Sequence, residues 1–357
     1  MNTKHFTNTL LHWYPENKRQ LPWRNTNDPY IIWLSEIILQ QTRVAQGLPY
    51  FEEFHSNYPT VQDLAAAPLE EVMRLWQGLG YYSRARNLHG CAKDITQNKN
   101  GLFPTTYKGL MELKGVGSYT AAAIASFAYG DKIAVVDGNV FRVLSRYFGI
   151  ATDIGSSKGK KVFETLANRI IPSTSPDDYN QAIMEFGALQ CVPKNPNCEC
   201  CPLKTSCFAY NHDLVKDLPV KAKKIKINHR AFLYFHIICG DELIVKERGS
   251  NDIWQGLIDL PLEELKSLEN INLERSSLFV ELQTFKPTIK FDQEKNYKHI
   301  LTHQKIFSNF VRFTIAKEQK EEVENWAFQR GYFPVTEKKL EKLGKPNLLV
   351  RYLKDQK

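Results

Sequence analysis

The sequence predicts an all-helical domain followed by a smaller α/β domain, and three observations carry the prediction. Apolar residues recur at three- and four-residue spacing through 5–212, most clearly in 31–54, 65–80 and 138–149, as helices with a buried face require. Strand-like runs are concentrated beyond 230: 231–239, a Gly240-Asp241 turn and 242–248 read as a β-hairpin, and 310–316 as a further strand. Between the two regions, 214–229 is lysine-rich and lacks a helical apolar stripe, the composition of a linker.

Taken in order, the elements carry their own start and stop signals. Asp28 before Pro29 offers an N-cap with proline in the first turn, and Asp137 precedes the helix at 138 in the same way. In 113–123, L-K-G-V-G-S-Y-T-A-A-A, Gly115 and Gly117 with Val116 between them permit a tight turn, and the helix start after it presents free backbone N–H groups where an anion can sit. A final helix is expected over 335–344, ending at Gly344 before Pro346.

At 357 residues the chain exceeds one hydrophobic core. Its 43% hydrophobic and 24% charged content excludes disordered and collagen-like classes. The formal net charge of +8 is compatible with a polyanionic partner, because lysine and arginine gain from releasing counterions off phosphates. No stretch approaches the roughly 18 apolar residues of a membrane span, and a cytoplasmic protein is expected.

Cys191, Cys198, Cys201 and Cys207 stand in the order C-x6-C-x2-C-x5-C. A reducing compartment disfavours disulfides, which leaves a metal or cluster site. Zinc sites of four cysteines usually pair two C-x2-C knuckles, and only one such pair exists here; a 4Fe-4S cluster fits the asymmetric loop better. Cys200, between two proposed ligands, could compete with them, while Cys91 and Cys239 read as ordinary buried thiols.

The arrangement L-x-G-V-G-x-x-T-A, then V-V-D-G-N-V-x-R-V, then the four cysteines, resembles the iron-sulfur branch of the helix-hairpin-helix DNA glycosylase superfamily. P-W-R at 22–24, D-P-Y-x-x-W-L-S-E-I-I-L-Q-Q-T at 28–42 and G-L-G-Y-Y-S-R-A-R-N-L at 78–88 are similar to adenine DNA glycosylases of the MutY type. Together the motifs cover about residues 10–210. In R-G-S-N-D-I-W-Q-G-L-I-D-L-P at 248–261, the W-x-G-L-x-x-L-P ending resembles the Nudix-like C-terminal domain of the same family. The expected architecture is therefore a helix-hairpin-helix glycosylase domain with a 4Fe-4S loop over 1–213, holding a six-helix module at about 28–135 with the hairpin at 106–128, a linker at 214–229, and a Nudix-like domain over 230–357.

The resemblance implies removal of adenine mispaired with 8-oxoguanine or guanine in double-stranded DNA, by an enzyme expected to be monomeric. Expelling adenine leaves positive charge on the sugar, so one carboxyl must donate a proton and a second must face the oxocarbenium ion as a carboxylate. Glu36, among Leu34, Ile37 and Ile38, has the apolar setting that raises a carboxyl pKa, although Arg43 at i+7 would suit a plain surface pair. Asp137 is implied as the ionised partner, a role compatible with its N-cap duty. Relatives that also cut the strand carry, two residues after the second glycine, a lysine that forms a Schiff base; here that position is Tyr119, which cannot form an imine. Base removal without that lyase step follows, with Tyr119 and Asn139 supporting Asp137. An endonuclease III-type lyase and a non-catalytic lesion binder are the competing readings.

Base extrusion leaves a vacancy in the stack. Tyr82 is implied as the residue that fills it, unless it packs its own loop, with Gln41 and Thr42 reaching the opposite base and Arg19 and Arg24 contacting adenine or ordering the pocket. The C-terminal domain lacks the acidic box that holds magnesium pyrophosphate, so it is expected to inspect 8-oxoguanine instead. Where the family reads the lesion with Phe-Ser-His, this sequence has Leu301, Thr302 and His303.

Overall fold

The computed structural model describes residues 3–222, 227–250, 252–301 and 303–356. Contacts divide the chain into two compact units, one formed by Met1–Ala66 and Gly90–Lys224, the other by Ala67–His89 and Ile225–Lys357. No strand precedes Asn228 among the described residues, and none of the described helices is long and apolar enough to cross a membrane.

The first unit is helical because its apolar stripes find one another. Phe6, Leu10 and Tyr14 of the helix Thr3–Asn17 pack with Val140, Val143 and Leu144 of Gly138–Phe148 and with Tyr179, Ala182 and Phe186 of Pro176–Leu189. A second centre forms where Pro29–Leu39, buried continuously from Tyr30 to Ile38, lies against Ser118–Tyr129, buried continuously from Thr120 to Ser126. The alanines at 121–123 and 125 let that helix be enclosed on every side. The expected caps are in place: the Asp28 carboxylate accepts from the Tyr30 amide at 2.8 Å, and Asp137 from the Val140 amide at 2.8 Å. The 31–54 stretch breaks at Gln40–Arg43, where Gln41 takes φ +57°, and resumes as Val44–Asn57. The glycine hairpin joins Tyr107–Met111 to Ser118–Tyr129, and Gly115 sits at φ +79°, which glycine alone adopts without cost.

The second unit is built on a sheet whose two longest strands, Asn228–Cys239 and Gln304–Ile315, run parallel in register from Asn228 opposite Gln304 to Cys239 opposite Ile315. Both faces are covered, so the strand reads as a near-continuous apolar run rather than an alternation. Leu233, Phe235 and Ile237 face a core shared with the helices Ser277–Gln283 and Lys320–Gln329. On the other face Phe232 meets Trp254, Tyr234 stacks on Phe310, and His236 bonds the Tyr352 hydroxyl at 2.9 Å. The expected hairpin is present, with Glu242–Glu247 antiparallel to the first strand across Gly240.

One expected element is overturned. The segment 335–344 is no single helix: Phe333–Thr336 is a strand paired with Glu242–Val245, Glu337–Glu341 is one short helix, and a further helix runs Asn347–Lys354. Thr336 accepts from the Lys339 amide and so starts the short helix rather than continuing one. Pro346 opens the next helix instead of marking the end of the last, since its fixed φ suits a helix start. Residues 223–226, inside the lysine-rich stretch, lie outside the described residues.

Candidate active site

The cleft of the helical unit is lined by Arg19, Arg24, Glu36, Gln41, Thr42, Gly117, Tyr119, Asp137, Asn139 and Glu185, so the four residues nominated for catalysis and the two pocket arginines come together. Glu36 projects from Pro29–Leu39 with 9% of its surface exposed. Burial pushes its carboxyl up to about 7; a hydrogen bond from the Tyr119 hydroxyl opposes the rise and the charge of Asp137 adds to it. The pairing with Arg43 is not the environment this side chain has.

Asp137 caps Gly138–Phe148 with both oxygens engaged, Oδ1 accepting from the Val140 amide and Oδ2 from Asn139 Nδ2 at 2.7 Å. Burial raises its pKa despite those bonds and the nearby Arg142 guanidinium. Asn139 Oδ1 in turn accepts from Arg142 Nη2 at 2.8 Å, and the same nitrogen donates to the Gly187 carbonyl at 2.7 Å. Arg142 Nε donates to the Cys191 carbonyl at 2.7 Å, so Asn139 and Arg142 in series connect the carboxylate to the cysteine loop.

Arg19 and Arg24 are held by a residue the sequence did not suggest. Glu185, on Pro176–Leu189 and 1% exposed at its side chain, accepts from Arg19 Nη2 at 2.6 Å and Arg24 Nη2 at 2.7 Å. The two guanidiniums outweigh its burial and bring its pKa down to about 2. The arginines therefore order the pocket wall. Beside them a smaller recess is lined by Trp23, Thr26, Ser35, Glu36, Phe127, Gln181 and Met184, with the Tyr14 hydroxyl donating to Gln181 Oε1 at 2.9 Å. Gln181 too was missed, because nothing in its local sequence marks it.

Cys191, Cys198, Cys201 and Cys207 line a separate pocket with Val143, Tyr147, Phe186 and Leu203, and Arg146 Nη1 lies 3.4 Å from Cys191 Sγ. Cys200 is exposed and does not line it, which removes the competition its position raised. Among the described residues no group of three or more His, Cys, Asp or Glu side chains is placed to hold a single metal ion. Cys91 and Cys239 are buried, as expected.

Gly115, Val116 and Gly117 form the hairpin turn; Val116 is buried and anchors it, while a side chain added at Gly117 would meet nothing within 4 Å. In the second unit Leu301 and His303 lie in the turn between Tyr297–Ile300 and Gln304–Ile315 and line a cleft with Tyr81, Tyr82, Ser83, Trp254 and His299. Thr302 lies outside the described residues.

Tyr82 requires a correction. It is 3% exposed, and its hydroxyl is 3.4 Å from both the Lys345 carbonyl and the Gly78 amide, so the ring packs its own loop and is not free to enter a base stack. The ring that the turn presents is Tyr81, 37% exposed at φ +49°. The turn is tied by Trp76 Nε1 donating to the Gly80 carbonyl at 3.0 Å and by Arg84, whose guanidinium lies 5.0 Å over Trp76 and 5.9 Å over Tyr81. Adjacent tyrosines in a turn are indistinguishable from composition; only the backbone decides which one faces out.

A helical body with a glycine hairpin and two carboxyls in one cleft is the framework of a base-excision DNA glycosylase. Residues 34–172 match the HhH-GPD superfamily of base excision DNA repair proteins. The chain superposes on a thermostable thymine-DNA glycosylase with a TM-score of 0.55 at 32% identity, covering 59% of this chain and 97% of that one. The chain is 34% identical over 320 residues to the adenine DNA glycosylase of Buchnera aphidicola subsp. Baizongia pistaciae, covering 89% of this chain and 88% of the relative, and 44% identical over 213 residues to that of Homo sapiens, covering 57% and 39%. It belongs to the adenine DNA glycosylases: it is an enzyme of base excision repair that hydrolyses the N-glycosidic bond of adenine.

Proposed function

We propose that the adenine removed is one mispaired with 8-oxoguanine or guanine in duplex DNA, that Glu36 is the acid and Asp137 the carboxylate facing the sugar. The observation that carries the assignment is the pair itself: two carboxyls in one cleft, of which Glu36 is enclosed and held near 7 while Asp137 is bound by a helix amide and an amide side chain. At neutral pH Glu36 is available to give its proton to a ring nitrogen of adenine as the glycosidic bond breaks. Asp137 then faces the oxocarbenium carbon, and water completes the hydrolysis. Asn139 and Tyr119 fix the two carboxyls, while Arg19 and Arg24, locked on Glu185, shape the wall against which the base sits.

The hairpin at Gly115, Val116 and Gly117 suits a backbone phosphate, because the space on the side-chain side of Gly117 is open and the following helix start favours an anion. Gln41 and Thr42, at the break between two helices, would reach the opposite base. Leu301, Thr302 and His303, with Tyr81 rather than Tyr82 as the inserted ring, would inspect the lesion. The four loop cysteines fit a 4Fe-4S cluster, since they line one pocket together with Val143, Phe186, Leu203 and Val215, and the cations Arg146 and Lys204 in the same lining suit an anionic thiolate cluster, with Arg146 lying against one sulfur. Bound there, a cluster supplies four iron–thiolate bonds that cross-link the loop. The chain is taken to act as a monomer.

The test is single-turnover adenine release from a duplex with A opposite 8-oxoguanine, comparing wild type with Glu36→Gln and reading strand breaks with and without alkali. Loss of roughly 10²–10⁴-fold in Glu36→Gln is expected for a general acid, with breaks only after alkali. Release that survives the substitution removes Glu36 from the mechanism. Breaks without alkali would point to Lys160, the lysine among the described residues lining the cleft, as an imine-forming amine.

A further inference from the structure

Guanine and 8-oxoguanine differ on one edge. Guanine offers an acceptor at N7 and a hydrogen on C8; the oxidised base offers a donor at N7 and an acceptor at O8. Hydrogen-bond discrimination therefore needs an acceptor held opposite N7. Leu301 stands where the family has phenylalanine, so that position supplies no ring for stacking.

The cleft of the second unit holds few groups suited to the task. The Asp252 carboxylate is taken up by Arg248 and by the Trp254 amide at 2.8 Å. Arg86 donates to the Gln255 carbonyl at 2.6 Å and has no acceptor to offer. The Tyr82 hydroxyl faces the Lys345 carbonyl and the Gly78 amide. Ser83, His303 and Asn347 also line the cleft, but a hydroxyl rotates to suit either purine, and the His303 and Asn347 side chains are exposed rather than held against a packed neighbour. His299 is different. It stands on the strand Tyr297–Ile300, two residues before Leu301, with its ring 5.5 Å from Trp254 at 68°, and Trp254 is itself only 2% exposed and fixed in the core. Burial, helped by the charge of Arg351, pushes its imidazole below the usual range, which leaves it neutral with one ring nitrogen able to accept.

We propose that His299 is a specificity-determining residue, accepting a hydrogen bond from the N7–H of 8-oxoguanine, which guanine cannot donate. The inference rests on the reading of this unit as the lesion inspector. It also gives the Trp254–His299 pair a purpose: the indole fixes the imidazole so that its acceptor does not follow the base.

Single-turnover rates on A opposite 8-oxoguanine and A opposite guanine test it, with His299→Phe, which keeps a ring against Trp254 and removes the acceptor, and His299→Gln, which restores an acceptor. Thermal unfolding of each variant reports on folding. The preference for 8-oxoguanine, taken as the ratio of the two rates, should fall roughly tenfold in His299→Phe, in line with one lost base-edge contact, and recover substantially in His299→Gln. A ratio unchanged in His299→Phe, or rates on both duplexes falling in equal proportion, overturns the proposal. A wild-type enzyme that treats both duplexes alike sinks the lesion reading and the inference with it.

Discussion

Glu36 and Glu185 are both buried in one cleft, yet one is held near 7 and the other near 2. The difference is their company. Glu185 receives two guanidiniums, whereas Glu36 receives a phenol and the field of another carboxylate, so burial dominates for one and charge pairing for the other. The pH dependence follows with a definite sign. As the acid, Glu36 must be protonated, so the single-turnover rate should fall roughly tenfold per pH unit above about pH 7, and it should fall again at acid pH as Asp137, whose pKa burial raises, loses its charge. The raised pKa of Glu36 costs stability: above the unfolded carboxyl range the unfolded chain gains by ionising and the folded chain does not, so the cost grows as pH rises towards 7 and then levels off. Glu36→Gln should therefore unfold at higher denaturant at pH 8 than wild type, by on the order of 3 kcal/mol, while losing activity. A variant less stable than wild type at pH 8 would show that the carboxyl is not desolvated as described. Glu36 was legible because its apolar neighbours are adjacent in sequence. Glu185 was not, because Arg19 and Arg24 lie 166 and 161 residues away along the chain.

At the scale of elements, Gly138–Phe148 is the beam on which the chemistry is mounted: Asp137 and Asn139 stand at its start, and Arg142 and Arg146 run from there to the cysteine loop. Its height is set by a glycine on the neighbouring helix. A Cβ at Gly187 would lie 2.6 Å from the Asn139 Cβ and 3.1 Å from its main chain, so Pro176–Leu189 approaches this closely only without one. Gly187→Ala should displace Asn139 and with it Asp137, lowering the rate of base release by tenfold or more, since misplacement by an ångström costs up to about a hundredfold. Affinity for a duplex from which adenine is not released should change far less, and visible absorbance after reconstitution with iron and sulfide checks that the loop still takes up the proposed cluster. A rate within twofold of wild type would mean the helices part without moving the carboxylate. The sequence showed these helices and their caps, because capping and periodicity are local. The C-terminal end was misread for the complementary reason: strand Phe333–Thr336 exists by pairing with Glu242–Val245, and no local pattern outweighs that partner.

For the whole molecule, the division into helical and sheet-bearing regions was legible from period alone, whereas the membership of Ala67–His89 in the unit of the C-terminal residues was not. That stretch is helical and carries the Tyr81 turn, so its composition gives no reason to separate it from the helices around it. The formal net charge of +8 over 357 residues also acts at this scale. Phosphate contacts release counterions and make affinity fall steeply with salt, while hydrogen bonds to a base edge do not. With about six phosphates neutralised, raising the salt from roughly 50 to 200 mM should weaken duplex binding by on the order of a thousandfold. The ratio of affinities for A opposite 8-oxoguanine and A opposite guanine should stay within about twofold over that range, because the discriminating contact proposed at His299 is between neutral groups. Fluorescence anisotropy with Glu36→Gln, which should hold the duplex without releasing adenine, measures both quantities in one titration series. If the ratio collapses along with the affinity, the lesion is being told apart by charge, and the neutral acceptor in the second unit is not what reads it.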